Sequence, residues 1–80
     1  MKNTKIEKKL LDLLFEINQL LLDVKRDDVK NEILKVKENL IGNIELLKYN
    51  EKPSSVFITE VEKIILNTIK FINIVKNKFL

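Results

Sequence analysis

Apolar residues recur along this chain in steps of three and four. The first third carries Ile6, Leu10, Leu13, Ile17, Leu20 and Val24, and the middle carries Val29, Ile33, Val36, Leu40, Ile44 and Leu47. The last third continues with Phe57, Val61, Ile64, Thr68, Ile72, Val75 and Phe79. An α-helix repeats every 3.6 residues, so each set falls along one side of a helix. Ile, Val and Thr are abundant in the last third and favour strands, but the alternation a strand needs is absent there. The pattern predicts an all-α protein with helices at about residues 4–24, 29–49 and 56–79 in a single domain, 1–80. Rods of similar length joined by short corners pack as an antiparallel up-down-up three-helix bundle. Leu13, Ile17, Val36, Leu40, Ile65 and Ile72 are the expected core.

The polar positions mark where the helices stop. Thr4-Lys5-Ile6-Glu7 has the spacing of a capping box. Lys25-Arg26-Asp27-Asp28 forms a charged corner in which Asp27 or Asp28 is placed to cap the second helix. Asn50-Glu51-Lys52-Pro53-Ser54-Ser55 reads as the main loop, because Pro53 disfavours helix in the residue before it and either serine suits an N-cap.

Two positions complicate this picture. Gly42 lies inside the second helix, where glycine costs about 1 kcal/mol relative to alanine. The ladder keeps its phase from Leu40 to Ile44, which predicts a continuous helix with a bend or a close helix contact at Gly42; the competing reading is a break there. The third helix is apolar over an unusually wide arc, with Ile58, Ile65, Leu66, Ile69, Phe71 and Ile74 added to its ladder. Such breadth suits a central rod of the bundle. It also suits a helix that packs on another molecule, which predicts a homo-dimer with Phe71 or Phe79 at the contact.

Composition narrows the chemistry. The chain of 80 residues has no cysteine and no histidine, so it lacks a thiolate nucleophile, a zinc–sulfur site and the usual general base. Its carboxylates, such as Glu7, Asp12, Glu16, Glu32, Glu38 and Glu45, avoid the internal positions of the ladder, and without histidine they do not reproduce a di-metal bundle site. One glycine rules out a phosphate-cradling loop. These features predict a protein that is not an enzyme, with no cofactor and no bound metal. Charged residues punctuate every apolar stretch, so no run reaches the ~20 residues of a membrane span. The start of the chain has no signal-peptide core either, and a cytoplasmic location is expected.

Charge is unevenly spread. Lys2, Lys5, Lys8 and Lys9 crowd the beginning, and Lys63, Lys70, Lys76 and Lys78 follow the last acid, Glu62. On the third helix Lys63, Asn67, Lys70, Asn73, Lys76 and Asn77 compose a polar strip of one sign. A solvating face ordinarily mixes signs, so this strip is the candidate partner-binding surface, directed at an acidic receptor loop, an anionic membrane surface or nucleic acid. The net charge of +3 permits nucleic-acid binding, and a small basic regulatory dimer of phage or plasmid type is the alternative reading. Arg26 is the only arginine, however, and base readout leans on arginine.

The order of these features resembles that of the small cytosolic immunity proteins protecting producers of pediocin-like bacteriocins. The likeness runs over Asp28–Lys78: a Lys/Glu-rich second helix, the proline loop YNEKPSSV and a third helix rich in Ile and Asn. It is a likeness of pattern and rests on no exact motif. The resemblance implies an antiparallel helical bundle that binds rather than catalyses. It implies action at the inner membrane face on a permease receptor or receptor–bacteriocin complex, with specificity in the carboxy-terminal half, here Lys63, Asn67, Lys70, Asn73, Lys76 and Asn77. Members of that family usually continue into a fourth helix and a tail, whereas this sequence ends at Leu80.

Overall fold

The structure, a computed structural model, describes residues 4–50 and 52–80. Three helices follow one another: α1 (Thr4–Asp23), α2 (Asp27–Tyr49) and α3 (Ser55–Phe79). The described residues contain no strand, and the protein is an all-α three-helix bundle. At 1.5 Å per residue the rods are about 30–38 Å long, which matches the 40 Å long axis; the 18 × 17 Å cross-section accommodates three of them side by side.

The helix ends agree with the polar signals in part. Ser54 caps α3, its hydroxyl accepting from the Phe57 amide at 3.1 Å. The first corner departs from expectation. Neither Asp27 nor Asp28 is the cap of α2: the N-cap position is Arg26, without a side-chain cap bond, and both aspartates occupy the first turn. There their charge still faces the positive end of the helix dipole. Thr4 is likewise already helical, so it does not take the cap position of the predicted box. Lys2 and Glu51 lie outside the described residues.

The ladder is the core. Leu10, Ile17, Ile33, Leu40 and Val61 are fully buried, and Leu13, Ile65 and Ile72 are buried beside them. Val24 has left the helix but remains in the core, tied by its amide to the Leu20 carbonyl at 2.8 Å. Val36 corrects the expected core list: it is half-buried and packs against the edge of the cluster. Two polar side chains are internal and satisfied within their own helices. Asn43 donates to the Asn39 carbonyl at 2.8 Å, and the Thr68 hydroxyl donates to the Ile64 carbonyl at 2.7 Å.

The larger correction concerns which rod is central. α1 packs against both α2 and α3, while α2 and α3 meet only weakly. The wide apolar face of α3 is therefore not absorbed by a central position, because α1 holds that place.

Gly42 sits within an unbroken α2, so there is no helix break. A Cβ built at Gly42 meets nothing within 4 Å, which also removes the expected close helix contact. The glycine thus only adds freedom to the unfolded chain, and Gly42→Ala is expected to stabilise the protein by about 0.5–1 kcal/mol. A chemical-denaturation midpoint that stays put or falls in that variant would contradict the geometry.

Candidate functional site

All six residues of the predicted strip, Lys63, Asn67, Lys70, Asn73, Lys76 and Asn77, are exposed on α3. The fold divides them. Asn67 turns toward α2 and lines a hollow of about 270 Å³ with Val36, Asn39, Ile64, Thr68 and Phe71. Asn73 turns the other way, into a hollow of about 280 Å³ against Leu13 and Glu16 of α1. Lys76 lies on that same flank, its Nζ 3.6 Å from a Glu16 carboxylate oxygen. Lys63 is 3.6 Å from Glu60 one turn back. Lys70 has no acidic side chain at ion-pair distance among the described residues. The acids that the second half of α3 lacks in sequence are thus partly supplied by α1 and by the first turns of α3. Each such exposed pair contributes ~0–1 kcal/mol and leaves its lysine free to change partners.

Apolar side chains interleave with this strip. Leu66 and Ile74 are 60% and 51% exposed, and Ile69, also exposed, shares the hollow that holds Asn73. Phe71 and Phe79, named as dimer contacts, are half-buried. Both line the flank of α3 that faces α2, where a second hollow of about 400 Å³ also takes in Asp28, Glu32 and Ile74.

Sequence reasoning did not anticipate the junction at the far end of the bundle. The Arg26 guanidinium grips Asp28 through two nitrogens, at 2.7 and 3.1 Å, and stacks 5.3 Å from the centre of the Phe79 ring. Arg26 thereby links the α1–α2 corner to the end of α3 through a cation–π contact. Only the spacing of Arg26 and Asp28 was readable beforehand; the meeting with Phe79, more than 50 positions away, depends on how the rods align. The hydrogen bond from Arg26 holds the Asp28 carboxyl below its usual value, opposed by desolvation and aided by the Arg26 charge. A depressed carboxylate pKa means a contribution present above the unfolded pKa and lost as pH falls through the folded one.

Among the described residues no group of three or more Asp or Glu side chains converges as a metal-binding cluster. None of their buried side-chain polar atoms lacks a hydrogen-bond partner. No described helix is long and apolar enough to cross a membrane. No family model matches the chain, and no curated protein or solved structure matches it.

Proposed function

We propose that this protein is a non-enzymatic binding module that recognises a protein partner, and that it serves bacteriocin self-immunity by engaging a membrane receptor or receptor–bacteriocin complex from the cytosolic side. The observation that carries the reading is the position of α3. α1 packs along one side of it and α2 meets it only weakly, and exposed Leu66 and Ile74 interleave with exposed Lys63, Asn67, Lys70 and Asn77. Large apolar side chains set among adaptable polar ones are the make-up of a recognition surface. The resemblance to bacteriocin immunity proteins adds the membrane-receptor partner and assigns specificity to this same half of the chain. The alternative, a nucleic-acid-binding dimer, draws less support, because Arg26 is already engaged by Asp28 and Phe79.

The test combines Lys63→Glu, Lys70→Glu and Lys76→Glu. The pairs lost are exposed, so the helical circular-dichroism signal is expected to survive. Protection of sensitive cells against a cognate bacteriocin should be abolished, with no DNA binding by parent or variant at low or high salt. Full protection by the variant would reduce the strip to a solvated face. Salt-sensitive DNA binding by the parent would replace the immunity reading with the regulatory one.

A further inference from the structure

The large apolar side chains that α1 leaves exposed fall on one stripe. Leu11, Phe15 and Leu22 are 47%, 66% and 78% exposed. With Asn18 they follow one another at steps of four, three and four residues, the spacing of a coiled-coil seam. The stripe lies on the side of α1 away from its buried face of Leu10, Leu13, Ile17 and Leu20. On α2 the flank toward α3 is marked by Asp28, Val36 and Asn39, which line the hollows there. Leu34 and Ile41 project from the other flank, the one next to α1, and are exposed as well. α1 and α2 thus present a common apolar outer face. At their fractional exposures these five side chains leave about 500 Å² uncovered, in the upper part of the range for the largest apolar patch of a monomer.

We propose that this face pairs with the same face of a second copy, giving a two-fold dimer in which the two α1 helices run antiparallel. The area fits. Two copies bury about 1,000 Å² of apolar surface between them, and interfaces are roughly 60% apolar, so the whole contact comes to about 1,600 Å², the size of a stable interface. A domain this small gains from such burial, because its own core covers a limited share of its surface. Charge selects this face over the open side of α3 for self-association. The strip on α3 would set Lys63, Lys70 and Lys76 against their own copies, whereas the rim of the α1 stripe mixes Lys5 and Lys8 with Asp12 and Asp23. Lys8 and Asp12 already pair along the helix, but Lys5 and Asp23, on the same flank of α1, have no ion-pair partner among the described residues. Antiparallel pairing brings the Lys5 end of one α1 to the Asp23 end of the other, while parallel pairing would stack the lysine-bearing starts together. The seam also matches in that order: Leu11 meets Leu22 of the second copy, and the bulky Phe15 meets the smaller Asn18. This inference goes beyond the reading of α3 as a partner surface and does not rest on bacteriocin immunity.

The test is sedimentation equilibrium of the full chain at about 50 µM, where the mass should be twice 9.4 kDa. Phe15→Asp and Leu22→Glu, both at exposed positions, should keep the helical circular-dichroism signal and sediment as monomers, a loss of about 100-fold or more in affinity. Leu22→Glu keeps the test valid if Phe15→Asp fails to fold. Leu66→Asp on α3 should remain a dimer, and so should the Lys63→Glu, Lys70→Glu, Lys76→Glu variant, which separates this contact from the immunity reading. The chain has no cysteine, so an oxidised equimolar mixture of Leu11→Cys and Leu22→Cys reports the orientation. Disulfides should form between the two variants and not within either alone, since they need the paired Cα atoms within ~7 Å. Crosslinking of either variant with itself would overturn the antiparallel arrangement. A monomeric parent at that concentration would overturn the proposal. So would a dimer that survives both Phe15→Asp and Leu22→Glu, or one that Leu66→Asp dissolves.

Discussion

Leu40→Ala is expected to lower the thermal midpoint by about 10–30 °C, measured by circular dichroism at 222 nm. Leu40 is fully buried in the core cluster of the bundle. Truncating such a leucine removes its transfer free energy and leaves a cavity, at a cost of about 2–5 kcal/mol. A domain of this size has a total stability of roughly 4–12 kcal/mol, so the loss is a large fraction of the whole. Each kcal/mol moves the midpoint of a small domain by about 4–8 °C. A variant that melts with its parent would mean that the inward register of α2 is wrong. Val36→Ala, one turn earlier, should cost much less, since Val36 is only half-buried.

A larger effect is expected at Ile17. This side chain is fully buried on α1, the rod that touches both others. Ile17→Asp places a carboxylate where no described cation is internal, and an unpaired buried charge costs several kcal/mol. The variant should lack cooperative unfolding at neutral pH. Desolvation raises the pKa of such an aspartate above its unfolded value of ~3.9. Its penalty is therefore small below that value and grows as pH rises toward the folded pKa, so helix content should partly return near pH 4. The parent should move the other way in acid, because the depressed pKa of Asp28 makes its contribution disappear as pH falls. Phe15→Asp is the matched control two positions away. Phe15 is 66% exposed, and its replacement should leave a folded protein. Loss of cooperativity in both variants, or in neither, would refute the assignment of the α1 core face.

The difference between Ile17 and Phe15 illustrates what was legible in the chain. Both are large and apolar, but only Ile17 keeps step with Leu10, Leu13, Leu20 and Val24, and the 3.6-residue period alone places it inside. The same period across Leu40, Gly42 and Ile44 was enough to predict an unbroken α2, and a serine cap after Pro53 was readable, though not that Ser54 rather than Ser55 supplies it. These are local properties, set by backbone geometry and by neighbours within one turn or two.

Val36 shows where that reasoning stops. It keeps the phase of its ladder yet is only half-buried, because its side faces the interval where α2 and α3 stand apart. Periodicity gives the direction of a side chain and not whether another rod lies opposite. The breadth of α3 was visible in sequence, but its cause was misassigned to a central position that α1 occupies. The polar strip met the same limit. Its single sign along the chain is genuine, yet Lys76 finds Glu16 on α1 and Asn73 turns into the α1 flank, whereas Asn67 turns into a hollow on the α2 side. The clasp of Arg26 on Asp28 and Phe79 was likewise invisible. The sequence by itself determined the three helices, their caps in part and their inward faces, since these depend on neighbours a few residues apart. Only the tertiary structure decided that α1 is the hub, that α2 and α3 meet only weakly, and which lysines meet acids, because each depends on the lateral arrangement of rods whose contacts are far apart in the chain.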